Sequence, residues 1–237
     1  MHFCRTLSPR HVLILECVAF TSMVIDHISH TGLGLFRVPG WEVLGRLAFP
    51  LFAITFAANA ARYQRCNITK LLMIGLVAQP AASVVSGVAV WQLNVMFVFP
   101  AGWLVYRYFA DHQTPRNILI KPFVLCAAVA FLALGPSYGF QGTFLIAVSL
   151  GFFSCRDPRT RKHWAAAVCV AWALTLAQTP ALIMPVGALL ALAWAVVALV
   201  PAGQIERKSV TWWHRAGFGK WYVIQAYALC VAKTLVV

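Results

Sequence analysis

Acidic side chains are scarce in this chain: six Asp and Glu stand against nineteen Lys and Arg, and charged residues are only 11% of 237 positions while 61% are hydrophobic. That composition leaves no room for a soluble domain beside long apolar runs, so one membrane-embedded domain over residues 1–237 is expected. The seven cysteines (4, 17, 66, 126, 155, 169, 230) never fall in CxxC spacing, which speaks against a zinc site or a disulfide framework. No metal is expected. Low-complexity tracts and internal repeats are lacking as well. The first apolar run is not followed cleanly by a small-x-small cleavage site, and Asp26, His27 and His30 stand where a secretory signal would be cut. The run therefore reads as a retained span. The basic residues form no continuous patch interleaved with aromatics, so the net charge of +13 points to a bilayer with anionic lipids and not to nucleic acid.

What the chain does have is apolar length. Runs at about 11–28, 43–61, 71–89, 93–110, 119–135, 140–155, 164–179, 181–200 and 217–236 mostly approach the ~20 residues a helix needs to cross the hydrocarbon core. The expected fold is an all-α, polytopic membrane bundle of about nine transmembrane helices. Sixteen of the nineteen basic residues fall ahead of the first run or in alternate gaps, leaving Arg37, Arg46 and Lys233 on the other side. Cytoplasmic loops retain Lys and Arg, so the amino terminus is expected in the cytoplasm and the carboxyl terminus outside. Turn residues punctuate the outer connections at Ser86-Gly87, Gly135-Pro136-Ser137 and Thr179-Pro180. Pro50, Pro80, Pro100 and Pro185 fall inside runs and read as helix packing features. Trp91, Trp103, Trp164, Trp212, Trp213 and Trp221 read as an interfacial belt.

Four of the six acidic residues (Glu42, Asp111, Asp157, Glu206) are expected in loops. Asp26 is not. It lies near the outer end of the first span beside His27, and an ionisable group at the centre of a span costs ~2.5–3.5 kcal/mol, less near the surface, so it faces the bundle interior with a partner. Arg46, at the start of the second span, occupies the same outer layer and is the natural partner. Asn94, Tyr138, Gln141 and Gln178 belong to that layer by the same topology. The bland reading is a structural ion pair with His27 and His30 near the headgroups; the functional one is a substrate or proton site. For His30 and Gln178 the bland reading is preferred. Glu16, about halfway along the first span, reads either as a second proton-handling or cofactor-contacting group or as one that reaches the cytoplasmic interface. Tyr106, Arg107 and Tyr108 read either as a grip on an anionic cofactor or, the preferred reading, as an interfacial anchor.

The stretch Met23-Val24-Ile25-Asp26-His27 followed by Gly45-Arg46-Leu47-Ala48-Phe49-Pro50-Leu51-Phe52 resembles the TraX family of conjugative-transfer membrane proteins. Asn59 with Arg62, the Asn94-Val95-Met96-Phe97 box and Ser137-Tyr138-Gly139 followed by Gly142 extend the resemblance over residues 12 to about 153. One departure stands out: where the family reads like a Tyr-Pro-x-His-Leu box, the chain has Trp221-Tyr222-Val223-Ile224-Gln225-Ala226-Tyr227-Ala228-Leu229, without the proline or the histidine. The resemblance implies an acetyl-CoA-dependent transferase of the bacterial inner membrane, encoded on a mobile element, that acetylates the amino terminus of a pilin subunit. Under that expectation Asp26, His27 and Arg46 are the catalytic candidates, and Asn94, Tyr138, Asn59 and Arg62 the substrate-binding ones. His27 is then a base oriented by Asp26, or is itself acetylated and relays the group; Arg46 or Asn94 supplies donors to the thioester oxygen. The competing classes are a non-enzymatic pilus assembly component, a small transporter, and an acyltransferase acting on a glycan or lipid.

Overall fold

Seven α-helices account for nearly all of the chain that the computed structural model describes, which is residues 7, 9–30, 44–87, 93–110, 138–175, 187 and 211–236. They are α1 (Pro9–His30), α2 (Ala48–Tyr63), α3 (Ile68–Ser86), α4 (Val98–Ala110, entered through a 3-10 turn at Val95–Phe97), α5 (Gly139–Ser154), α6 (Pro158–Thr175) and α7 (Thr211–Val236). Among the described residues there is no strand. The expected all-α class is therefore found. Seven of the nine apolar runs coincide with these helices, while 119–135 and, apart from residue 187, 181–200 lie outside the described residues, as do Pro185, Gln178 and the turns at 135–137 and 179–180.

Not every helix fills its run: α2 has 16 residues and α4 has 13. Two helices contain a window long and apolar enough to cross a bilayer, His11–Ile28 and Ile68–Val85; Val95–Ala110 and Gly139–Ser154 are apolar but shorter. The second run shows why. Its helix was expected to start near residue 43 with Arg46 on it, but Arg46 and Leu47 form a turn and α2 begins at Ala48. Pro50 is thus the third residue of α2, in the first turn where a missing N–H costs no helix bond. Pro100 is likewise third in α4, and among the described residues only Pro80 sits in a helix interior.

Burial follows from composition. α2 has eleven of sixteen residues buried and α5 ten of sixteen; both are apolar all round, and both take the inner positions. α5 packs on α2, α4 and α6, α1 packs on α2, and α7 packs on α3. In α1 the buried residues Val12, Leu15, Ala19, Ser22 and Met23 recur at spacings of three and four, a single stripe that continues to Asp26. α3 instead turns Leu72, Met73, Leu76 and Val77 outward.

Caps close the connections. Asn67 accepts from the Lys70 amide at 2.9 Å to start α3, and Gly87, at φ 67°, ends it by donating to Ser83 O. Asp157 starts α6: its carboxylate takes the Thr160 amide at 2.8 Å and the Thr160 hydroxyl at 2.6 Å, bonds that hold its carboxyl below the usual range. Trp103, expected in an interfacial belt, is buried in the core instead, with the Arg107 guanidinium over its ring at 6.0 Å.

Candidate active site

Because the helices alternate in direction, α1, α3 and α6 end where α2, α4 and α5 begin. A cavity of about 380 Å³ lies at that end, with Asp26, His27, Arg46, Asn94, Tyr138 and Gln141 in its wall beside Met23, Phe49, Phe52, Phe99 and Tyr222. Six polar residues that topology alone put at one depth thus line one space. Asn59 and Arg62 do not belong to it. Arg62 donates to the Leu7 carbonyl, and Asn59 lines a second cavity of about 270 Å³ toward the other end with Glu16, Arg65, Cys66, Asn67 and Lys70. Phe52 and Phe99 are common to both walls.

The charged wall depends on a glycine. A Cβ on Gly45 would stand 2.5 Å from Asp26 Cβ and 2.7 Å from its Cγ, so only glycine lets the turn before α2 close on α1 at the carboxylate. The next residue, Arg46, hydrogen-bonds the Tyr138 side chain, and both Asp26 and Arg46 act electrostatically on that hydroxyl. Its Nε–H is buried and has no hydrogen-bond partner among the described residues, so the guanidinium retains donor capacity. Tyr138 is held firmly. It caps α5 at φ 65°, a left-handed conformation unusual for a non-glycine residue, and stacks on Phe49 with ring centroids 4.2 Å apart and planes 12° from parallel. Gly142, one turn on, permits this, since a Cβ there would lie 2.8 Å from both Phe49 Cζ and Tyr138 Cβ.

Asn94 is the most constrained of the set. Its side-chain amide donates to Gly75 O at 2.8 Å and Gln79 Oε1 at 2.9 Å, its oxygen accepts from the Met96 amide at 2.9 Å, and its own backbone N–H also meets Gln79 Oε1 at 2.9 Å. With both amide hydrogens engaged, Asn94 ties the 3-10 turn to α3, and oxyanion donation falls more naturally to Arg46.

His27 sits in the last turn of α1. Its Nδ1 lies 3.2 Å from Gln225 Nε2 on α7, 198 residues away in sequence. Neither Gln225 nor Gln79 was identifiable beforehand: each is a lone amide in an apolar run, and its partner depends on helix rotation. The His30 side chain and Gln178 lie outside what is described. Glu16, left open by sequence, belongs to the second cavity. At that basic end Arg65 and Arg107 also border an open cleft of about 620 Å³ with Gln64, Cys66 and Asn67. Among the described residues no cluster of His, Cys, Asp and Glu is arranged to hold a metal ion.

Comparison with known proteins agrees with this arrangement of motifs. The family model described as TraX protein matches residues 12–232. A Protein TraX of Escherichia coli is 30% identical over 185 residues, covering 73% of this chain and 69% of that protein. A Protein TraX of Escherichia coli strain K12 is 27% identical over 209 residues, covering 84% of this chain and 76% of that one. No solved structure matches.

Proposed function

The chain belongs to the TraX family, and from that premise we propose that it transfers an acetyl group from acetyl-CoA to the amino-terminal amine of a conjugative pilin subunit. We read it as a multi-pass protein of the bacterial inner membrane, with the two runs outside the described helices completing a bundle of about nine spans. Outward-facing Leu72, Met73, Leu76 and Val77 suit lipid contact, since a soluble monomer rarely exposes so contiguous an apolar face. The observation that carries the proposal is the single cavity uniting a carboxylate, an imidazole and a guanidinium. An acyl transfer to an amine asks for those three groups.

The amine attacks the thioester carbonyl; the C–N bond forms, the C–S bond breaks, and coenzyme A leaves as its thiol after taking up a proton. An α-amine has a pKa of ~7.7–8.0, so it needs only modest help to lose its proton, and His27 takes it. Asp26 balances the resulting imidazolium. The negative charge that grows on the carbonyl oxygen is met by Arg46, supported by the Tyr138 hydroxyl. The N-termini of α2 and α5, which open on the same cavity, add favourable dipoles.

The donor is cytoplasmic, and the residues that suit its phosphates are Arg65, Lys70 and Arg107 at the opposite end. Phe52 and Phe99 then form the partition that the acetyl group must pass. Intact-mass measurement of pilin produced with and without this chain tests the reading. The added mass of one acetyl group appears only when the chain is present; equal masses would leave the assembly-component class standing.

A further inference from the structure

The His27–Gln225 contact determines more than position. Gln225 is 9% exposed, and its Oε1 is buried without a hydrogen-bond partner among the described residues while its Nε2 faces His27 Nδ1 at 3.2 Å. In that orientation the amide donates, Nδ1 accepts, and a neutral ring carries its proton on Nε2. Carboxamide oxygen and nitrogen are nearly isosteric, so the amide's sense is fixed by its partners. Turned over, Oε1 gains a donor in Nδ1–H while the amide nitrogen takes the place Oε1 held, and the ring lone pair moves to Nε2. Only this second arrangement leaves the ring able to accept a proton at Nε2, and it persists after protonation, because an imidazolium still donates from Nδ1.

We propose that Gln225 is a positioning residue for His27, its Oε1 accepting from Nδ1–H so that the Nε2 lone pair is presented as the base. This rests on the acyl-transfer reading of the cavity. Among the described residues, the titratable groups that share the cavity wall with His27 are Asp26 on α1, Arg46 ahead of α2, Tyr138 at the head of α5 and Tyr222 on α7, while α3, the 3-10 turn and α6 line it with Ala82, Val85, Asn94, Val95 and Thr175. A neutral amide therefore orients the ring without adding a charge to the Asp26–Arg46 balance, which a carboxylate at that place would upset.

The test measures His27 itself. Full-length protein purified in detergent is treated with diethyl pyrocarbonate across pH ~5 to ~8, and carbethoxylation of the His27 peptide is followed by mass spectrometry. Gln225→Leu removes the acceptor that steadies the protonated ring, so the midpoint of the His27 profile falls. Gln225→Glu places a carboxylate there and raises it by about one unit or more, and this variant serves if the leucine one does not fold. A midpoint that stays put in both variants, one that rises in Gln225→Leu, or a His27 unreactive at every pH overturns the proposal. Failure of the acyl-transfer reading is seen separately, as wild-type protein that leaves pilin unacetylated while the His27 profile still responds to residue 225.

Discussion

Gly45 is the residue on which the site's geometry turns most sharply. Adding one methyl group drives the turn into Asp26, and overpacking of that kind costs about 1–3 kcal/mol. Gly45→Ala is expected to lower the thermal unfolding temperature modestly while cutting pilin acetylation more than tenfold, because the displaced group is the carboxylate that balances His27. Thermal unfolding in detergent alongside product mass checks both. Cys66 offers a pH reading at the opposite cavity. Partial burial pushes its thiol up to about 11, so at neutral pH it is un-ionised and a poor nucleophile. Its alkylation by iodoacetamide should rise about tenfold per unit from pH ~7 to ~9 without levelling, a plateau near pH 9 being the contrary result. The sign for stability follows: the protonated thiol suits the fold, so its contribution is full below 9.0 and is lost as pH climbs toward about 11. Asp26, His27 and Arg46 were legible because charge inside an apolar run is conspicuous. Gln225 was not: an amide near the end of the chain, in the stretch that lacks the family's histidine, gives no hint that it reaches His27.

At the scale of elements, the 3-10 turn before α4 is the joint that keeps the cavity open. Asn94 holds it to α3 through two side-chain bonds and caps the turn with a third from the Met96 amide, each worth about 0.5–1.5 kcal/mol net. Asn94→Ala should therefore destabilise the protein by about 2–4 kcal/mol, and Asn94→Asp should also destabilise it, since a carboxylate keeps the bond from Met96 but presents lone pairs to Gly75 O and Gln79 Oε1. Denaturation of the purified variants measures this; an Asn94→Asp as stable as wild type would mean the joint is held by something else. Helix existence was readable from apolar runs, whereas the start of α2 was not. The run continues through Gly45-Arg46-Leu47, but the chain turns at Arg46 and Leu47, which leaves Pro50 within the first turn of α2.

For the molecule as a whole, the distribution of basic residues carried the most information. Alternating gaps fixed which helix ends share a side, and that was enough to gather Asp26, His27, Arg46, Asn94, Tyr138 and Gln141 at one depth before any contact was known. It set Arg62 with the basic residues of the opposite side, where Arg62 and Asn59 do lie, but it could not correct the motif resemblance, which carries no depth and had joined both to the substrate-binding set. Nor could it reveal that the two cavities meet at Phe52 and Phe99, a fact of side-chain packing. Acylation of an amine beside His27 is tested most directly by the intact mass of pilin produced with wild type, Asp26→Asn, His27→Ala or Arg46→Ala at matched membrane levels. Loss of the base or the oxyanion donor is expected to slow transfer about 10²–10⁴-fold and leave pilin without its acetyl group. Pilin acetylated to the wild-type extent by all three variants would contradict it.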